Sequence, residues 1–143
     1  MIRHILVDLD GVLSNFVLAA LELHGQPGRL EDWPLGQRDM HRVLGISSRE
    51  FWGKIAATPG FWASLEPYPW KDDLLALVTA RAPFSIATSP SFDPGCASEK
   101  VAWMRRHLAP GFQDYVIGRQ KWLMAHPDTL LIDDSDHNVA DFR

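Results

Sequence analysis

The chain has 143 residues, of which 46% are hydrophobic and 22% charged, so it can form one compact domain and is not of the disordered class. Its net charge of −4 and pI near 5.8 argue against polymeric nucleic acid and anionic membranes as partners. No stretch has the apolar run of a signal peptide or a transmembrane helix, so we expect a soluble cytoplasmic protein. The one cysteine, Cys96, excludes an intrachain disulfide, and its surroundings do not suggest an activated nucleophile.

Strands and helices alternate along most of the chain. Apolar runs bounded by turn residues predict strands at 2–7, 84–88, 115–117 and 129–132. Helical spacing predicts helices at 14–24, 72–82 and 98–108, a short helix at 119–126, and one or two helices between 39 and 57. Ser47 and Glu50 form a capping-box signal for the second of these. The order predicts an α/β fold with a mainly parallel sheet and right-handed crossovers.

The segment 25–67 interrupts this alternation and carries helices but no strand. We interpret it as a small helical cap rather than as a second domain. The prediction is therefore a single domain over 1–143, with a core formed by 1–24 and 68–143.

Polar residues with oxygen-rich side chains follow or end three of the predicted strands. They are Asp8 and Asp10 after the first strand, Thr88 and Ser89 at the end of the second, and Asp133 and Asp134 after the last. In open α/β sheets, ligands bind outside the carboxyl ends of the strands, so these side chains should converge there together with Lys121. Each motif alone is also typical of a turn, a helix cap or a surface loop. Together they suit Mg²⁺ and a phosphate, because Mg²⁺ prefers carboxylate, carbonyl and phosphate oxygens.

Four segments resemble the motifs of the haloacid dehalogenase superfamily, in the same order. VDLDGVLSNF at 7–16 resembles motif I, IATSPS at 86–91 motif II, Lys121 motif III, and LLIDD at 130–134 motif IV. A finer resemblance is to the 5'(3')-deoxyribonucleotidase family, through PGFWASLEP at 59–67 and EKVAWMRRHL at 99–108. The resemblance covers nearly the whole chain. It implies a Rossmann-like three-layer fold of that superfamily, with a helical cap inserted after the first strand.

The resemblance implies a magnesium-dependent phosphoric monoester hydrolase of the 5'-nucleotidase type. Asp8 would be the nucleophile that forms an aspartyl-phosphate, and Asp10 would be first general acid and then general base. Mg²⁺ would be held by the Asp8 carboxylate, the Asp10 backbone carbonyl and Asp134, with Asp133 in support. An aspartate at position 10 argues against a dehalogenase, because cleavage of a carbon–halogen bond needs no proton on a leaving ester oxygen.

The same resemblance assigns the phosphate contacts. Thr88 and Lys121 would hold the phosphoryl oxygens as charge shifts in the transition state. Ser89 and the Gly11 backbone are weaker candidates for such contacts. The substrate implied is a small phosphate ester, a nucleoside monophosphate in particular.

Aromatic residues are concentrated in and near the segment 25–67. Any one ring there is more simply explained as core of a small cap than as a stacking platform. Phe16 and Trp62 are the exceptions, because both match pocket positions of the resembled family, and Trp33 is a weaker candidate. Trp103 and Trp122 are interpreted as structural.

Two features depart from the family pattern. Ser91 and Phe92 follow motif II, where some relatives place a lysine, so one phosphate or substrate contact is expected to be absent. Only nine residues follow Asp134, where relatives continue through a further edge strand. The last strand is therefore expected at an exposed edge of the sheet.

Three other functions stay open at this point. A phosphatase of the same superfamily could act instead on a sugar phosphate, phosphoglycolate or a nucleic-acid 3'-phosphate, since only the cap would differ. A phospho-acceptor domain of the receiver type also uses acids, a hydroxyl and a lysine. Its acidic pair follows the first strand and its phosphorylated aspartate follows a middle one, whereas here the adjacent pair Asp133 and Asp134 follows the last strand. A catalytically inactive binding protein is the third, although every side chain that the chemistry needs is present. The sequence leaves open the oligomeric state of the protein, the nucleobase and sugar of the substrate, and whether a 5' or a 3' phosphate is removed.

Overall fold

The computed structural model describes residues 1–143. Four parallel strands form one sheet in the order β3-β2-β1-β4: β1 (His4–Val7), β2 (Phe84–Thr88), β3 (Tyr115–Ile117) and β4 (Thr129–Ile132). The helices are α1 (Phe16–Leu23), α2 (Met40–Leu44), α3 (Ser48–Ala56), α4 (Lys71–Thr79), α5 (Pro94–His107) and α6 (Asp136–Asp141). Short 3-10 turns lie at Pro27–Leu30, Trp62–Ser64 and Lys121–Met124. The predicted α/β fold with a parallel sheet is confirmed.

The strand register brings the carboxyl ends of the central strands together. Val7 on β1 pairs with Ile132 on β4 and with Ile86 on β2. The first residues after β1 and β4 are therefore neighbours, and the last residue of β2 lies beside them. β1 is buried at the centre of the sheet, while β3 and β4 are its edges, as expected for β4.

Apart from shifts of one to three residues at the ends of α1 and α4, two differences from the predicted helices concern α5 and α6. α5 begins at Pro94 rather than at 98, because the Asp93 side chain caps it by accepting from the Gly95 N–H and Pro94 suits the first helical position. α6 was not predicted at all. Its N-cap is Ser135, whose side chain accepts from the Asn138 N–H.

A third difference concerns the segment 119–126, which forms only the 3-10 turn Lys121–Met124 instead of a short helix. Between 39 and 57 there are two helices, divided by Gly45 in the left-handed conformation at φ 69°. The Ser47 side chain accepts from the Glu50 N–H at the start of α3, as the capping-box signal predicted.

The inserted segment packs into the same hydrophobic cluster as the sheet. That cluster joins β1 and β2 residues to Met40, Leu44, Phe51, Ile55 and Trp62 of the insert. Its assignment as a cap over one domain, with the boundaries given above, stays a prediction. None of the helices combines the length and the apolar character that crossing a membrane requires.

Candidate active site

The loop after β1 places the first two aspartates at the carboxyl end of the sheet. The Asp8 N–H donates to the Ile132 carbonyl at 2.9 Å. Asp8 is therefore the first residue beyond β1 and is held by the last hydrogen bond between β1 and β4. Gly11 then turns the chain with a φ of 82°, a conformation that favours glycine. The Gly11 N–H donates to the Ser14 carbonyl at 2.9 Å, which closes the turn before α1.

Asp8 is buried and faces a buried lysine. The Lys121 ammonium lies 2.8 Å from Oδ1 of Asp8 and donates to Oδ2 of Asp133 at 2.5 Å. Burial raises the pKa of Asp8 to about 7, against the opposing attraction of Lys121 and with added repulsion from Asp133. The carboxylate of Asp8 is thus an anion that the protein stabilises incompletely, and a bound cation would stabilise it further.

The two aspartates after β4 have different surroundings. Both oxygens of Asp133 are engaged, since Oδ1 accepts from the Ser135 N–H and Oδ2 accepts from Lys121 and the Asn138 amide. Asp134 is the more exposed of the two and takes part in no ion pair. Partial burial raises the pKa of Asp134, and repulsion from Asp133 adds to the increase. Oxygens of Asp8, Asp133 and Asp134 lie within 4.8 Å of one another, a spacing that could hold a metal ion.

Asp10 is held by two side chains. Ser14 donates to its Oδ1 at 3.0 Å, and Lys100 donates to its Oδ2 at 2.5 Å. Lys100 is 1% exposed and also donates to Oγ1 of Thr88 at 2.8 Å. Lys100 was not singled out from the sequence. A signal was present: Cys96, Lys100 and Met104 follow one another at four-residue spacing, which places the lysine on the buried face of α5.

The predicted phosphate contacts lie in three different surroundings. Thr88 is 1% exposed, at the end of β2, and its hydroxyl oxygen accepts from Lys100. Ser89 is half-buried and donates to the Gly118 carbonyl at 3.4 Å. The N–H of Gly11 is already bonded within its turn, so the contact expected from its backbone is not available. The N–H groups of Leu9 and Asp10 have no protein acceptor.

Phe16 and Trp62 lie against each other. Phe16 is the first residue of α1, and its ring stacks on that of Trp62 with centroids 5.1 Å apart and on that of Trp52 with centroids 5.9 Å apart. Trp62 is only 4% exposed. Of the two rings, Phe16 lines both cavities that open beside Asp10, whereas Trp62 lines only one of them.

The larger cavity next to Asp10 has a volume of about 910 Å³. It reaches from Asp10 and Asp134 to the insert, where Trp33 and Arg38 form part of its wall. Tyr68 also faces it, and burial together with repulsion from Asp134 and Asp10 raises the pKa of its phenol. Arg38 and Tyr68 were not predicted as site residues. A second cavity of about 560 Å³ lies between Asp10, Ser89 and Arg119.

Two family-like segments found separately in the sequence contact each other. The Glu99 carboxylate accepts from the N–H groups of Gly60 at 2.6 Å and Trp62 at 2.8 Å. One turn later, the Trp103 indole donates to the Leu65 carbonyl at 2.7 Å. α5 therefore fixes the end of the inserted segment. We call these contacts of Glu99 and Trp103 with Gly60, Trp62 and Leu65 the clamp, and Lys100 follows Glu99 directly in α5.

Comparison with known sequences gives the family. The sequence model for the family described as "5' nucleotidase, deoxy (Pyrimidine), cytosolic type C protein" matches residues 1–143. The chain belongs to this family. It is 31% identical over 144 aligned positions to human cytosolic-type 5'(3')-deoxyribonucleotidase, an alignment covering 92% of this chain and 70% of the human protein. Membership in this nucleotidase family confirms the predicted class, a hydrolase of phosphoric monoesters.

Solved structures confirm the predicted fold. A haloacid-dehalogenase-superfamily hydrolase from Geobacter sulfurreducens superposes with a TM-score of 0.61 at 15% identity, over 99% of this chain and 82% of that one. A hydrolase of the same superfamily from Deinococcus radiodurans, solved with bound phosphate and sodium, gives 0.58 at 14% identity, over 99% and 78%. At these identities the likeness concerns the fold alone.

Proposed function

We propose that this nucleotidase-family chain is a Mg²⁺-dependent phosphatase of nucleoside monophosphates that works through an aspartyl-phosphate on Asp8. The observation that carries the proposal is the environment of Asp8. Its carboxylate lies beside Lys121, close to a second acid, Asp134, and in a loop that also presents Asp10.

The donor set fits Mg²⁺. Hard carboxylate and carbonyl oxygens are its preferred protein ligands, and the group contains no thiolate or imidazole. Asp8 and Asp134 would each supply a carboxylate oxygen, and the Asp10 carbonyl accepts no backbone hydrogen bond that would compete. Asp133 is occupied by Lys121, Ser135 and Asn138, which favours the supporting role. When bound, Mg²⁺ would offset the repulsion between the nucleophile and the phosphate and polarise phosphorus.

The phosphate would be held by groups around Asp8. The N–H groups of Leu9 and Asp10 are unpaired, and two consecutive free N–H groups suit an anion. The Lys121 ammonium and the Thr88 hydroxyl supply further donors. Because these groups are fixed by the fold, they would stabilise the charge on the phosphoryl oxygens without reorganising during the reaction.

The reaction would take place in two displacements. In the first, an oxygen of Asp8 bonds to phosphorus, the bond from phosphorus to the ester oxygen breaks, and Asp10 gives that oxygen a proton. In the second, Asp10 takes a proton from a water molecule whose oxygen attacks phosphorus. The bond between Asp8 and phosphorus then breaks, which releases inorganic phosphate and restores the carboxylate.

The cavity and the relatives support a nucleotide as substrate. The larger cavity leads from Asp10 to a wall that contains Phe16, Trp52 and Trp33, and aromatic rings of this kind can stack on a base at about 1–3 kcal/mol each. Arg38 on the same wall adds a cation. The human relative is named for deoxyribonucleotides, and we extend that preference to this chain.

The experiment is phosphate release from dUMP, dTMP, UMP and ribose 5-phosphate, with Mg²⁺ or with excess chelator. We expect the highest catalytic efficiency for a deoxyribonucleotide, and activity only with metal. Asp8→Asn should be inactive while keeping the wild-type melting temperature in the presence of chelator at pH 5. Full activity in chelator would contradict the metal requirement, and a clear preference for ribose 5-phosphate would leave only a general phosphatase.

A further inference from the structure

Lys100 is among the most deeply buried charged groups of the protein and lies next to the proposed general acid. Its side chain is 1% exposed, and it reaches from α5 to the loop after β1. An ammonium in such a place is costly unless its surroundings compensate for the lost water. The compensation is specific: the Asp10 carboxylate at 2.5 Å, the Thr88 hydroxyl at 2.8 Å, and the face of the Trp62 ring with its centroid at 4.9 Å.

The chemistry of an ammonium fixes the direction of these hydrogen bonds. A lysine ammonium only donates, so Oγ1 of Thr88 must accept from Lys100. The proton of the Thr88 hydroxyl is then not used toward Lys100 and remains available for another acceptor. Thr88 ends β2 at the carboxyl edge of the sheet, where the phosphoryl oxygens are proposed to bind.

The same ammonium holds one oxygen of Asp10. Ser14 holds the other oxygen at 3.0 Å, so the carboxylate is fixed from two sides. Ser14 belongs to the same loop as Asp10, whereas Lys100 comes from a separate helix. Lys100 is therefore the contact that ties the position of the acid to the rest of the fold.

We propose that Lys100 is a positioning residue that sets the Asp10 carboxylate for proton transfer to the leaving group and directs the Thr88 hydroxyl proton toward the phosphate. The proposal rests on the function proposed above. Lys100 is not a catalytic residue in this account, because it acts through Asp10 and Thr88. Trp62 takes part as the ring that covers the ammonium, which gives this buried tryptophan a role besides any contact with substrate.

The test uses leaving groups that differ in their need for a proton. In Lys100→Met, turnover of dUMP should fall about 100-fold or more, in the range that general acid–base catalysis contributes. Turnover of p-nitrophenyl phosphate, whose leaving group needs little protonation, should fall by about 10-fold or less. In an Asp10→Asn background the added loss from Lys100→Met on dUMP should shrink to about the loss seen with p-nitrophenyl phosphate, because the part that acts through Asp10 has already been removed and only the part through Thr88 remains.

Lys71→Met is the matched control. Lys71 is a mostly buried lysine on α4 that donates to the His107 carbonyl at 2.6 Å, away from the site. Its replacement should lower the melting temperature without changing the ratio of the two substrates. If Lys100→Met does not fold, the ratio is measured on Lys100→Gln, where dUMP should again lose more.

Two results would overturn the assignment. Equal losses for both substrates in the Lys100 variants, or losses that add fully to those of Asp10→Asn, would show a merely structural lysine while leaving the proposed function intact. A wild-type enzyme that hydrolyses neither substrate would instead overturn the proposed function, and the role of Lys100 with it.

Discussion

Gly11 packs directly against the carboxylate of Asp134, with no room for a side chain between them. A β-carbon at Gly11 would overlap both Oδ2 and Cγ of Asp134, and the backbone there has a φ of 82°. Motif I and motif IV are thus in contact through a glycine. The close approach leaves Asp134 directed at the loop that carries Asp8 and Asp10.

The first prediction follows from this contact. Gly11→Ala should displace Asp134 and weaken Mg²⁺ binding by at least tenfold, measured by calorimetric titration. Gly25→Ala is the matched control, because Gly25 has a similar φ of 71° but nothing within 4 Å of its added β-carbon. Both variants should lose about 1–2 kcal/mol of stability from the left-handed backbone. Equal Mg²⁺ affinities in the two variants would show that Asp134 does not need this space.

The second prediction concerns the stability of the metal-free protein as a function of pH. Burial raises the pKa of Asp8 to about 7 from 3.8, so between these values the folded state holds a proton that the unfolded state has lost. The resulting stabilisation is complete below pH 3.8 and is lost as pH rises through about 7, a change on the order of a few kcal/mol.

Melting temperatures in chelator, measured from pH 5 to 8, check this effect. The wild type should lose stability relative to Asp8→Asn over that range, because the amide has no charge to bury. Added Mg²⁺ should raise the wild-type melting temperature more at pH 8 than at pH 5. Parallel pH profiles for wild type and Asp8→Asn would contradict the assigned pKa of Asp8.

The third prediction separates Asp10 from Asp8. Asp10 would give the metal its backbone carbonyl, so Asp10→Asn should leave Mg²⁺ affinity unchanged, unlike Asp134→Asn. Turnover of dUMP should fall about 100-fold or more, while p-nitrophenyl phosphate should lose much less. A change in Mg²⁺ affinity comparable to that of Asp134→Asn, or equal losses for the two substrates, would remove Asp10 from the acid role.

The fourth prediction concerns the clamp between α5 and the insert. In Glu99→Gln one oxygen acceptor is lost, so one of the N–H groups of Gly60 and Trp62 is left unpaired, at about 1 kcal/mol. The Michaelis constant for dUMP should rise more than that for p-nitrophenyl phosphate, because only the nucleoside extends to the insert. Glu31→Gln is the control, because Glu31 lies on the exposed surface, and it should change neither of the two Michaelis constants. Unchanged Michaelis constants in Glu99→Gln would separate the clamp from substrate binding.

Much of this arrangement could be predicted from the sequence, because strand ends are local features. The strands 84–88, 115–117 and 129–132 have the predicted bounds, and the acids after β1 and β4 meet because parallel strands share an edge. Lys121 could be placed near Asp8 for the same reason. The start of α5 and the existence of α6 were not predicted, because the short capping signals of Asp93 and Ser135 are weak in the sequence.

Contacts between distant segments could not be predicted in the same way. PGFWASLEP and EKVAWMRRHL were each matched to the family, but their pairing through Glu99 and Trp103 depends on how α5 crosses the insert. Lys100 was passed over because a lysine in a helix is usually on the surface. The signal for its burial was the position of Cys96 and Met104, four residues to either side on the same face of α5, both of which are buried.

The central claim is that Asp8 carries the phosphoryl group during turnover, and chemical trapping tests it most directly. Enzyme turning over dUMP with Mg²⁺ is quenched in acid and reduced with borohydride, which converts an aspartyl-phosphate to homoserine, and the digested protein is analysed by mass spectrometry. The account predicts homoserine at position 8 only when substrate and Mg²⁺ are both present, and none in Asp8→Asn. Homoserine at position 10 or 134, or sustained turnover by Asp8→Asn, would contradict it.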